Sequence, residues 1–112
     1  MTFADRLLEA VDQRDAPCVV GLDPVLEYIP DTFLRACDLH RDGDIEERAR
    51  ILEAYSLLTL EAVADLVPAV KPQMAYFELY GAAGMRALER CIETAREMGL
   101  LVLLDGKRGD IG

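Results

Sequence analysis

No stretch of this 112-residue sequence approaches the roughly 18 consecutive apolar residues of a membrane span, which argues against an integral membrane protein. Basic residues are scarce: Lys and Arg number 12 against 21 Asp and Glu, a net charge of −9. That balance excludes a general binder of nucleic acid or anionic membranes, although local cations can still hold an anionic ligand. Cysteine occurs three times, as Cys18, Cys37 and Cys91, an odd number at wide spacing. Neither a disulfide framework nor a zinc site fits that pattern, and reduced thiols do. The opening residues Met1–Arg6 lack the charged and apolar regions of a signal peptide, so a cytoplasmic protein is expected. Tryptophan is absent, and aromatic residues make up only 6%. What is plentiful is apolar aliphatic residue: the hydrophobic fraction of 52% excludes intrinsic disorder and predicts a globular chain.

Phe3, Leu7, Leu8 and Val11 recur at helical spacing behind Thr2, a candidate N-cap, with Pro17 closing that helix. Cys18–Leu22 is a short, Val-rich apolar run of the kind that forms a buried strand. An irregular excursion over 25–43 follows, with a helical turn or two near Asp31–Cys37. Asp44 and Glu47 have capping-box spacing. Behind them Ile45, Leu52, Tyr55, Thr59 and Ala62 predict one apolar helix face running to about Leu66. Val67–Val70 reads as a second strand ended by Lys71-Pro72. Gly81 and Gly84 loosen the start of a further helix marked by Met85, Leu88, Ile92 and Ala95, and Gly99 stands where a left-handed cap belongs. Leu100–Leu104, uniformly apolar, predicts a third strand covered on both faces and ended by Asp105.

Alternating helices and strands argue for parallel strands joined by right-handed crossovers. Three strands in this length give about 37 residues per unit, so eight units need roughly 300, the size of a (β/α)8 barrel. The fold class expected is therefore α/β, with the first three βα units of a (β/α)8 barrel, incomplete in this chain. A doubly wound sheet is the alternative.

Each strand ends in a charged residue: Asp23, Lys71 and Asp105. Parallel strands bring these ends to one face, which in barrels is the catalytic face. Asp105 and Lys107, two apart, point the same way in extended backbone, and Gly106 and Gly109 permit a loop that presents Asp110. Taken alone, Asp23 reads as a turn residue or helix cap and Asp-x-Lys as a solvated ion pair. Against that stands the placement of lysine. The sequence has only Lys71 and Lys107, and both fall on this face. A lysine ammonium can surrender a proton where a guanidinium cannot, so it can serve as a general acid. Elsewhere His40 reads as solvated, and Cys18 and Cys91 as core residues. Tyr76, Phe77 and Tyr80 read as packing beneath a loop or as pocket lining. The glycines lack the spacing of a nucleotide-binding loop.

Three ordered segments then resemble the orotidine 5′-phosphate decarboxylase family: Gly21-Leu22-Asp23-Pro24, Val70-Lys71-Pro72-Gln73 with Ala75-Tyr76-Phe77-Glu78, and Asp105-Gly106-Lys107-Arg108-Gly109-Asp110-Ile111-Gly112. The second is similar to the bacterial branch with longer chains. The resemblance implies that residues 1–112 are the N-terminal part of one barrel domain whose remainder is absent. It implies decarboxylation of orotidine 5′-monophosphate to UMP and CO2, in pyrimidine synthesis, without metal or cofactor. On this resemblance Asp23 bonds the ribose, and Lys71 binds the ribose and orders the charges. Asp105 lies against the substrate carboxylate, and Lys107 donates a proton to pyrimidine C6. Asp110 reaches substrate across the interface of a homodimer. Gly106 stands where many relatives carry Ala. The phosphate-gripping residues of the family follow later strands. Neither nucleic acid nor membrane is implied as a partner. Related sugar-phosphate decarboxylases share the third segment and use magnesium, which is one alternative. An inactive truncated piece that packs against a partner is another.

Overall fold

Thr2 and Asp5 start the first helix by bonding each other's backbone: the Asp5 N–H donates to Thr2 Oγ1, and the Thr2 N–H to Asp5 Oδ2, both at 3.1 Å. This box caps α1 (Phe3–Arg14), which ends at Asp15 in the left-handed conformation, before Pro17 is reached. The computed structural model describes residues 1–107. After α1 come β1 (Val19–Leu22), a 3₁₀ turn (Leu26–Tyr28), α2 (Asp31–Cys37) and α3 (Ile45–Val63). Then follow β2 (Ala69–Pro72), α4 (Met74–Glu78), α5 (Gly81–Glu97) and β3 (Leu101–Val102).

The strands pair in parallel in the order β1-β2-β3, with Gly21 beside Lys71, Leu22 beside Pro72 and Val70 beside Val102. This is the parallel α/β arrangement expected. One sheet face carries Val20, Leu22, Val70 and Val102, against which Leu60 of α3 and Ala95 of α5 pack. By alternation its opposite face presents Val19, Gly21, Lys71 and Leu101. A second core joins Leu26, Ile29 and Leu34 of the excursion to Ile51, Leu52, Phe77, Leu88 and Cys91. Burial pushes the Cys91 thiol up to about 12. Arg14 ties α1 to the rest by donating to the Ala64 carbonyl at 3.1 Å and the Gly99 carbonyl at 3.2 Å, at the ends of α3 and α5. Among the described residues no helix is long and apolar enough to cross a membrane.

Several boundaries differ from the sequence reading, for local reasons. β2 starts and ends two residues later than expected: Pro68 has no N–H to bring to the ladder, although its carbonyl accepts from Leu101, and Pro72 stays paired because only its carbonyl is needed, accepting from Asp105. The buried residues of α3 are Ala49, Ile51, Leu52, Ser56 and Leu60, leaving Ile45 and Ala62 exposed. A serine among them hides the buried face from a search for apolar letters. Glu47 completes only half of its capping box: its N–H donates to Asp44 at 2.8 Å, while its carboxylate turns to His40. His40 is exposed, as expected. Cys91 is buried, but Cys18 lies before the first paired residue and is exposed, so it is no core residue. β3 is half-buried rather than covered on both faces, and Leu104 is exposed. Gly84 does not loosen α5 but lies inside it, buried against α4.

Candidate active site

Alternation along β2 turns Val70 and Pro72 into the core and leaves Lys71 on the open face. Two residues on, Gln73 shares that face and bridges in parallel to Asp105, so pairing outlasts the regular strands. The Gln73 N–H donates to the Leu22 carbonyl at 3.1 Å, and the Asp105 N–H to the Pro72 carbonyl at 2.9 Å. All three strands are thereby pinned where the charges emerge.

Asp105 is the centre of the arrangement. Its side chain is only 14% exposed, against 63% for Lys107. Lys107 Nζ donates to Asp105 Oδ2 at 2.7 Å, and the Lys107 N–H to Oδ1 at 3.3 Å. Gln73 Nε2 donates to the same Oδ2 at 3.0 Å. The hydrogen bond from Lys107 holds the Asp105 carboxyl below the ordinary carboxylate range, outweighing burial, and the Lys107 and Lys71 charges add to the effect. The structure therefore brings together Lys71, Asp105 and Lys107. The solvated ion pair that Asp-x-Lys alone suggests does not describe an aspartate this enclosed.

Asp23 lies two residues beyond Gly21, just past the end of β1, exposed and with its carboxylate over Gly21. Among the described residues no hydrogen bond or ion pair ties it to Lys71 or Asp105. It borders a small cavity of about 130 Å³ with Tyr55, Ser56 and Thr59. Asp110 falls outside the described residues. Phe77 is core, whereas Tyr76 and Tyr80 line a cavity of about 260 Å³ with Pro24 and Leu26. Gln73 is the residue whose part in the charge cluster sequence reasoning missed. Its signal was the two-residue step from Lys71.

Chemically, the cluster sets a protonated amine beside a carboxylate held ionised at the open ends of three parallel strands. Such a pair can stabilise a developing negative charge and deliver a proton to it.

No family model matches the chain. An orotidine 5′-phosphate decarboxylase of Rhodopirellula baltica is 44% identical, aligned with 100% of this chain and 36% of its own length. One of Corynebacterium glutamicum is 42% identical, again over 100% of this chain and 36% of its length. A crystal structure from Streptomyces avermitilis, provisionally assigned as an orotidine 5′-phosphate decarboxylase, superposes with a TM-score of 0.69. It is 38% identical, covering 98% of this chain and 34% of its own. The chain thus spans about a third of the length of the curated relatives it matches, which accords with an incomplete barrel. Over its whole length this chain is a homologue of the orotidine 5′-phosphate decarboxylases.

Proposed function

We propose that the protein carrying this chain decarboxylates orotidine 5′-monophosphate to UMP and CO2 in pyrimidine synthesis, in the cytoplasm, without metal or cofactor. One observation carries the reading: Lys71, Asp105 and Lys107 cluster at the strand ends of a chain homologous throughout to decarboxylases of that name. Residues 1–112 supply the N-terminal part of a single (β/α)8 domain, and the phosphate grip belongs to later strands.

Breaking the C6–carboxylate bond releases CO2 and leaves its electron pair on C6, with no adjacent carbonyl to spread the charge. The Lys107 ammonium stabilises that pair more than it stabilises the intact substrate, then gives C6 a proton and becomes a neutral amine that solvent reprotonates. Asp105 keeps Lys107 charged and lies against the substrate carboxylate. Lys71 neutralises Asp105 from the neighbouring strand and, with Asp23, holds the ribose. Asp110 reaches the substrate of the other subunit in a homodimer.

The test is ultraviolet-monitored turnover of orotidine 5′-monophosphate by the purified protein and its Lys107→Ala variant. Turnover by the first and loss of at least about 10³-fold in the second are expected, since one group both stabilises charge and donates the proton. Full activity in Lys107→Ala would refute the assignment. Activity abolished by chelation and restored by magnesium would favour a sugar-phosphate decarboxylase instead.

A further inference from the structure

Gln73 holds the cluster together in a way its sequence position does not announce. Its backbone N–H is committed to Leu22 of β1, its bridge partner is Asp105 beyond β3, and its side-chain amide donates to Asp105 Oδ2. Lys107 Nζ uses the same oxygen. A carboxylate only accepts hydrogen bonds, so the amide must present its nitrogen there. The amide oxygen is then left buried with no hydrogen-bond partner among the described residues. Burying an acceptor unpaired is unfavourable, and an apolar side chain of similar size would avoid it. The arrangement makes sense if the amide nitrogen's contact with Asp105 is what the position requires.

We infer that Gln73 is a positioning residue, whose amide fixes the Asp105 carboxylate in the rotamer that aims the Lys107 ammonium. This role rests on the decarboxylase reading above. Gln73 does not itself meet the reacting atoms. Without it, Asp105 keeps the Lys107 N–H on Oδ1 and Lys107 Nζ on Oδ2, both from its own segment, but loses the anchor from the neighbouring strand end, and the ammonium loses its fixed direction. A misplacement near 1 Å costs about 10²-fold in rate. Substrate binding through Lys71, Asp23 and the later strands would be largely retained.

A glutamate at this position gives a sharper signature. It has the shape of glutamine, yet when ionised it sets a second carboxylate against Asp105, and when protonated it can donate an O–H in place of the amide. The charged groups around Asp105 among the described residues are Lys71 from β2 and Lys107 from its own segment. Both cations favour ionisation of the introduced carboxyl as well as of Asp105, so the pair retains its proton only as the pH is lowered.

The experiment compares kcat and KM for orotidine 5′-monophosphate across pH in the unaltered protein, Gln73→Leu and Gln73→Glu, with thermal melting of each. The expected result is a fall in kcat of about 10²-fold in Gln73→Leu, with KM changed less than about threefold and the melt preserved. In Gln73→Glu, activity should recover as the pH falls, where the unaltered protein shows no such recovery. Turnover by the unaltered protein with kcat preserved in Gln73→Leu would overturn the role of Gln73 alone. A pH profile of Gln73→Glu parallel to that of the unaltered protein would also overturn it, even if Gln73→Leu fails to fold. No turnover by the unaltered protein would overturn the function, and this role with it.

Discussion

A hydrogen bond from Lys107 and partial burial pull the Asp105 carboxyl in opposite directions, and the bond wins, leaving its pKa lowered. Folding therefore favours the ionised form. The associated stability is present above the ordinary carboxylate value of about 3.9 and is lost as the pH falls through the lowered folded value. At any neutral assay pH the aspartate is charged. Removing its Lys107 partner should reverse the balance: in Lys107→Ala the leading hydrogen bond disappears while burial remains. We predict that carboxyl ¹³C NMR of the protein carrying this chain will show Asp105 titrating at higher pH in Lys107→Ala than in the unaltered protein. An unchanged midpoint would mean that Lys71 or Gln73, not Lys107, sets its ionisation. The two lysines were legible as candidates because the chain has no others, and scarcity made their shared face conspicuous. Gln73 was not. Glutamine is an ordinary surface residue, and only the bridge to Asp105 shows what its side chain does.

At the scale of elements, the sequence carried the alternation and the parallel order, because strand-length apolar runs and helix-length periodic runs differ so plainly. It carried the ends of elements less well. Proline at β2 looked like a terminator, yet Pro72 sits inside the ladder, where only its carbonyl is needed. Gly84 is the clearest case of a residue whose role emerges only in three dimensions. A Cβ built there would stand 1.8 Å from the Phe77 carbonyl oxygen of α4. The helix of which it is part thus approaches α4 through a gap that only glycine leaves. Because Phe77 is wholly buried and α4 follows directly from Gln73, the contact also supports the strand end that bears the site. Gly84→Ala should therefore force α4 and α5 apart and destabilise the protein by about 1–3 kcal/mol, despite alanine's better helix propensity. Chemical denaturation of the two proteins measures this directly. A stabilised variant would show that propensity outweighs the close approach.

For the whole molecule, the described fold is an open segment of a barrel wall. Its radius of gyration is 14.6 Å, with extents of 44 × 30 × 21 Å. A compact domain of this length would measure about 13 Å. β1 and β3 each pair on one side only among the described residues, so backbone groups along two edges await partners. Leu104 is 49% exposed, and with Met74, Met85, Leu88 and Ile92 it lines a groove of about 430 Å³ against α5. In a barrel the neighbouring βα unit would cover such a groove. The chain spans about a third of the length of its relatives, and in a full barrel further strands would bury these edges. Ordering each residue costs about 1–2 kcal/mol, and burial at about 25 cal/mol per Å² offsets that only when the core is closed. Catalysis suffers separately. On the proposed function, remote contacts to the phosphate would supply binding energy that lowers the barrier at C6, and Lys107 alone would not replace them. We predict that purified residues 1–112 will unfold without a sharp transition and will not turn over orotidine 5′-monophosphate, even though Lys71, Asp105 and Lys107 are present. Calorimetry and the ultraviolet assay on that polypeptide provide the check. A cooperative melt accompanied by turnover would mean that three strands suffice both to hold the charges in place and to grip the nucleotide.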